Sequence, residues 1–120
     1  MTLAEENVWK FFPALTDDAR GNVAIVFGQS TRQEFASAYF MGRLASDPPN
    51  VLRPAQLLKA GAAALTWGAA GGKVFYGDYF GATLDPSDGA AWLLGEYVID
   101  ADRWGSWIGN VDWGSVGNVR

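Results

Sequence analysis

The chain has 120 residues, of which 49% are apolar and 18% charged, a balance typical of one globular domain. It contains no cysteine and no histidine, which excludes a disulfide framework, a thiolate metal site and imidazole ligands or bases. The net charge is -4 and the 9 basic residues are scattered, so the composition argues against nucleic-acid binding.

The first half of the chain predicts four strands that are separated by polar, Gly-rich or Pro-rich turns. These are 9–16, 22–29, 36–45 and 55–60. The fourth is ambiguous, because residues 55–65 could also form a helix of about ten residues by propensity. Their position after three strands favours an outer strand.

The second half predicts three strands, at 79–84, 90–98 and 104–111. The Gly-rich and polar residues 112–120 then stand where a fourth strand would be expected. Trp92 and Trp107 occur within strand patterns, so both are expected to pack in the core. No apolar run approaches the ~20 residues that cross a bilayer, and the acids near the N-terminus indicate no signal peptide, so no membrane span is predicted.

The two halves resemble each other at a spacing of about 68 residues. Four pairs coincide without a gap: Phe12/Phe80, Ala14/Ala82, Asp17/Asp85 and Gly21/Gly89. Such a repeat of short strands and turns predicts stacked blades or sandwiched hairpins. The implied divisions are an N-terminal extension at 1–10, a first repeat at 11–66, a Gly-rich connector at 67–77 and an incomplete second repeat at 78–120.

The turns at 17–21 and 85–89 share residue types at the same spacing, so the same backbone path is expected in both. Asp17 and Asp85 are expected to satisfy turn backbone groups with their side chains. Gly21 and Gly89 are expected at positive φ or in tight packing, where a side chain would clash.

Several stretches are similar to the sialidase-like, six-bladed β-propeller superfamily, in particular to its secreted members. They are GDYFGATLDP at 77–86 with Trp92 and Glu96-Tyr97 behind it, and SAY and GRL within 37–44 with LLKAG at 57–61. The resemblance implies an all-β fold of four-stranded antiparallel blades and an extracellular or cell-envelope location. Since about 4 to 8 blades close a propeller, two repeats imply either a homo-oligomer, with a trimer favoured, or the remainder of a larger propeller.

The resemblance also implies a binding face, where the loops that enter the first strand meet those between the second and third strands. A sugar is held there by an aromatic plane against its C–H face and by carboxylate or Arg groups at its hydroxyls. The candidate ligand-binding residues are Arg32, Glu34, Trp67, Tyr76, Asp78, Arg103 and Trp104.

Catalytic features are sparse. The Asp-box of sialidases is absent, since the matching turn reads SDPPN at 46–50, and two blades cannot supply the family's three clamping arginines. Asp100 with Asp102 is the only local carboxylate pair of the kind that glycosidases use, and a solvated loop explains it better. Glu96 and Tyr97 are adjacent in a strand and must point to opposite faces.

The sequence therefore favours a non-catalytic binding or scaffolding module, with a glycan as the most plausible ligand and with no cofactor or metal. The alternative is a fragment or subunit of an exo-sialidase-like glycoside hydrolase. A purely structural piece without a ligand is a third reading.

Overall fold

The computed structural model describes residues 4–66 and 74–117, and it confirms the all-β prediction. Two antiparallel sheets each keep their strands in chain order. The first sheet contains β1 Val8–Asp17, β2 Val23–Thr31, β3 Ser37–Arg43 and β4 Gln56–Lys59. The second contains β5 Gly81–Leu84, β6 Ala91–Val98 and β7 Trp104–Val111, and the short helix α1 Trp113–Gly117 follows it. Within the described ranges, no helix is long and apolar enough to cross a membrane.

Several strand boundaries differ from the sequence prediction; for example, the strand expected at 79–84 is Gly81–Leu84. Strand β1 begins at Val8, inside the stretch assigned to an N-terminal extension. The ambiguous 55–65 segment is a strand only over Gln56–Lys59, and the rest of it has no regular structure. Its backbone instead crosses to the second sheet, where the Ala62 N–H donates to the Val98 carbonyl at 2.8 Å.

The two sheets pack face to face in matching order. Strand β1 lies against β5, β2 and β3 lie against β6, and β4 lies against β6 and β7. Ala24, Val26 and Phe40 from the first sheet form one core cluster with Ala91 and Leu93 from the second. Ala24 and Ala91 occupy little space between the sheets, and the larger Phe40 and Leu93 fill the rest of this densely packed layer.

The first sheet is also buried on its outer face. Ile25, Phe27 and Met41 form a second apolar cluster there, against Leu52 and Ala55 of the segment that precedes β4. Strand β2 is consequently apolar at successive positions instead of alternating, as expected for a strand covered on both sides.

An ion pair holds this covering segment in place. Asp47 accepts hydrogen bonds from the Arg53 side chain at 2.6 and 2.7 Å and from the Leu44 N–H at 2.9 Å. The hydrogen bonds from Arg53 are the main reason that the pKa of Asp47 is lowered to about 2. At any pH above the usual pKa of an aspartate, this carboxylate is therefore charged and keeps its hydrogen bonds to the segment that it anchors.

The outer face of the second sheet has less cover. Trp92 is 41% exposed and Ile108 is 64% exposed. Trp107 is paired with Gly95 on the opposite face and is 43% exposed, so the expectation that Trp92 and Trp107 pack in the core is wrong. Trp92 donates its indole N–H to Asp85 at 3.0 Å, and the Trp107 ring lies 4.2 Å from the Lys59 ammonium, which makes a cation–π contact with it.

The two repeated turns agree in their glycines but not in their paths. Gly21 has φ +86° and Gly89 has φ +73°, as expected. However, the Gly21 N–H donates to the Asp18 carbonyl, three residues back, whereas the Gly89 N–H donates to the Asp85 carbonyl, four residues back. The prediction of one common backbone path is wrong. The loop between the paired residues Leu84 and Ala91 is one residue longer than the loop between the paired residues Asp17 and Val23.

In the first turn, the aspartate whose side chain binds backbone N–H groups lies one residue later than predicted. Asp18, not Asp17, accepts the Arg20 and Asn22 N–H groups, each at 2.9 Å. In the second turn Asp85 accepts the Ser87 N–H at 2.8 Å, as predicted. Asp17 is instead the last residue of β1, paired with Val23.

The two sheets lie close together at Gly95, where a Cβ would lie 2.7 Å from the Ala38 Cβ and 3.4 Å from a Val26 methyl. We expect Gly95→Ala to lower the free energy of unfolding by about 1 to 3 kcal/mol, because the packed sheets must separate to admit the methyl group. Urea denaturation measures this value.

Gly81→Ala is the matched control, since the nearest atom to a Cβ there is 4.0 Å away. It should change stability far less. Equal effects of the two substitutions would show that strand propensity, and not inter-sheet packing, explains the loss.

Candidate functional site

Strand β1 is irregular where it passes the second sheet. Its pairing moves from Phe11 directly to Ala14, so Phe12 and Pro13 form a bulge. Pro13 has no N–H to contribute to the ladder, and Phe12 has φ +52°. The bulge turns the Phe12 ring toward the second sheet, where it lies 6.2 Å from the Phe80 ring.

This bulge forms one wall of a cavity of about 700 Å³ between the ends of the two sheets, which we call the inter-sheet cavity. Its described lining comprises Phe11, Phe12, residues 30–36, Ala64, Leu65, Val74, Tyr76 and Val98. Three predicted site residues, Arg32, Glu34 and Tyr76, therefore share one cavity. Its volume lies within the range of about 300 to 1,000 Å³ that small-molecule sites occupy.

Glu34 is held firmly at this cavity. The Tyr39 hydroxyl donates a hydrogen bond to its carboxylate, and the Gln29 side-chain amide donates a longer one of 3.4 Å. Burial and the interaction with Glu34 raise the pKa of Tyr39 to about 12, so this hydroxyl remains a donor at neutral pH. Arg32 lies on the same loop and is exposed, and no described residue forms an ion pair with it.

The loop that carries these residues is attached to both sheets. The Val98 N–H of β6 donates to the Ala36 carbonyl at 3.2 Å. Buried Ser37 donates to the Phe35 carbonyl and accepts the Gly61 N–H, both at 2.8 Å. These hydrogen bonds hold the backbone of this cavity wall against both sheets. The Phe35 ring at the cavity edge remains 49% exposed.

The opposite wall depends on Glu96, which is fully buried. Its carboxylate accepts the Gly77 and Tyr79 N–H groups, each at 2.7 Å, and its backbone carbonyl accepts the Tyr76 hydroxyl at 2.8 Å. Burial raises the pKa of Glu96, and the two N–H groups oppose this only in part. Glu96 thus fixes the 76–79 segment, where Gly77 adopts φ +102°.

A second cavity of about 280 Å³ lies on this same segment, and we call it the shelf cavity. Phe75, Tyr76, Gly77, Asp78, Tyr79 and Trp104 line it. The Tyr79 and Trp104 rings stack with centroids 5.5 Å apart and planes at 26°. The structure therefore brings the predicted residues Asp78 and Trp104 together here, and Tyr76 borders both cavities.

The remaining predicted residues lie elsewhere. Arg103 pairs with Asp100 at 2.5 Å and is not among the residues that line either cavity. Asp100 also accepts the Asp102 N–H at 3.0 Å, and the Arg103 side chain lowers the pKa of Asp100. This pair of acids therefore supports a turn. Trp67 lies outside the described residues.

Sequence reasoning missed the phenylalanines of the inter-sheet cavity and the role of Glu96. Pro13 inside a strand pattern was a usable signal for the bulge, since proline cannot donate to a ladder. A single acid in the apolar run of β6 was a signal for Glu96, because a buried carboxylate needs donors. Phe35 carried no comparable signal.

Among the described residues, no group of three or more acidic side chains is placed to hold a metal ion. The chain matches no protein-family model, no curated protein and no solved structure. Its functional assignment therefore depends on the geometry of the two cavities.

The raised pKa of Glu96 predicts a specific pH dependence of stability. The folded state holds this proton more tightly than the unfolded chain, whose usual value is 4.5. The contribution of Glu96 is therefore fully present below that value and is lost as pH rises through the raised pKa. Relative to Glu96→Gln, the wild type should lose unfolding free energy as pH rises above about 4.5.

Urea unfolding of both proteins between pH 3 and 8 measures this difference. Asp85→Asn provides a control of opposite sign. Ser87 and Trp92 lower the pKa of Asp85 to about 2, so its contribution is lost as pH falls below the usual value of 3.8. A flat difference for Glu96→Gln, or one that rises with pH, would contradict the prediction.

Proposed function

We propose that this chain is a non-catalytic carbohydrate-binding module, built from two propeller-type blades, with the inter-sheet cavity as its site. One observation carries the proposal: the cavity gathers aromatic rings together with Arg32 and Glu34 from separate segments. Rings can lie against the C–H faces of a sugar, and a guanidinium and a carboxylate can bind its hydroxyls.

The arrangement of the sheets supports the blade interpretation. Both sheets are meanders with strands in chain order, and they stack with β1 beside β5 and β2 beside β6. Successive propeller blades require this matching order, since each blade starts at the inner strand and ends at the outer one. The described part of the second sheet has three strands, one fewer than the four of a complete propeller blade.

We extend the proposal to the partner that completes the propeller. This partner is either further copies of the chain, with three copies in the favoured ring, or the remainder of a larger propeller. The exposed Trp92 and Ile108 on the outer face of the second sheet provide an apolar surface for this contact. On the first sheet, the segment with Leu52 and Ala55 already covers the corresponding cluster. A neighbour would therefore pack against that segment.

Binding is tested first on a glycan array and then by calorimetry with the glycan that the array identifies. Arg32→Ala should weaken the affinity for that glycan about tenfold or more, because a hydrogen bond to a charged group contributes about 1.5 to 3 kcal/mol. Phe35→Ala should also weaken binding, by removing an aromatic surface at the cavity edge.

Arg20→Ala is the matched control, since Arg20 is exposed at the 18–22 turn and is not part of the cavity lining. Absence of binding to every glycan would refute the proposal. Release of a chromophore from aryl glycosides, lost in Glu34→Ala or Asp78→Ala, would instead support a glycoside hydrolase.

Light scattering on the purified protein tests the assembly. A ring of three copies predicts three times the chain mass of 12.9 kDa. A sharply unfolding monomer would argue against propeller blades and would leave a self-contained β-sandwich in their place.

A further inference from the structure

The two cavities share one wall. Val74 and Tyr76 line the inter-sheet cavity, whereas Phe75, Asp78 and Tyr79 line the shelf cavity. Tyr76 borders both. A ligand that fills the first cavity and extends past Tyr76 would therefore reach the second.

The shelf cavity has its own aromatic surface. Tyr79 is 56% exposed although its ring stacks on Trp104, and Phe75 beside it is 69% exposed. Large exposed rings at one place mark an interaction surface more often than scattered ones do. The carboxylate of Asp78 is also exposed, and it can accept hydrogen bonds from hydroxyl groups.

The shelf is also rigid. The Glu96 carboxylate holds the backbone on both sides of Asp78 through the Gly77 and Tyr79 N–H groups. The Phe12 ring packs against Gly77, where a Cβ would lie 1.8 Å from a ring carbon. The distance between the shelf and the inter-sheet cavity is therefore set by the fold, which reduces the ordering cost of binding across both.

We propose that the shelf cavity is a second sugar subsite, so that the ligand is an oligosaccharide of two or more units that passes over Tyr76. This inference rests on the proposed carbohydrate function and adds the chain length of the ligand to it. One unit lies in the inter-sheet cavity beside Arg32, and the next stacks on Tyr79 with its hydroxyls toward Asp78.

Calorimetric titration with chito-, cello-, xylo- and malto-oligosaccharides of one to four units tests the inference. Within the oligosaccharide series that binds, the affinity of the wild type for the longer members should exceed its affinity for the monosaccharide by tenfold or more. Tyr79→Ala should remove this preference while the affinity for the monosaccharide remains unchanged, because the substitution leaves the backbone N–H that Glu96 holds. Asp78→Ala should have the same effect to a smaller degree.

Trp9→Ala is the control for loss of an exposed ring, since Trp9 on β1 lines neither cavity. It should leave both affinities unchanged. Equal affinity of the wild type for one and four units, or an equal loss for both in Tyr79→Ala, would overturn the second subsite but not the proposed function. Failure of all four series and of the glycan array to bind would overturn both.

Discussion

The close contact of β6 with the first sheet is the constraint on which the rest of the structure depends. Gly95 faces β2 and β3 and lets the sheets approach, while the next residue, Glu96, faces the other way and holds the 76–79 segment. Strand alternation places these two functions on opposite faces of one strand. As a result, the position of the sheets and the position of the cavity walls are set by adjacent residues.

Both cavities lie where the chain departs from regular strand geometry. Phe12 in the β1 bulge and Gly77 in the connector have positive φ, and their side chain and backbone contact each other. Unfavourable backbone conformations persist only where surrounding contacts enforce them, and they concentrate at functional sites. The buried Glu96 carboxylate holds the Gly77 backbone in place, and its two short hydrogen bonds offset part of its desolvation cost.

The two sheets differ in how completely they are covered. An ion-paired segment covers the outer face of the first sheet, through Asp47 and Arg53. Over residues 74–117 the second sheet has three strands, and Trp92 and Ile108 are exposed on its outer face. An uncovered apolar face beside an edge strand favours association with another surface. The outer faces of the two sheets therefore differ in the apolar surface that they expose to solvent.

The sequence by itself determined the all-β class, the seven strands in order and the positive φ of Gly21 and Gly89, because these depend on local residue pattern. The resemblance to propeller blades placed Arg32, Glu34, Tyr76 and Arg103 on one face, and the first three of them line the inter-sheet cavity. Sequence reasoning misplaced Trp92 and Trp107, assigned a turn role to Asp17 that Asp18 performs, and gave no sign that Arg103 is engaged by Asp100. Only the tertiary structure decided these points and the walls of both cavities, because each depends on contacts between segments distant in sequence, such as Phe12 with Gly77 and Glu96 with Tyr79.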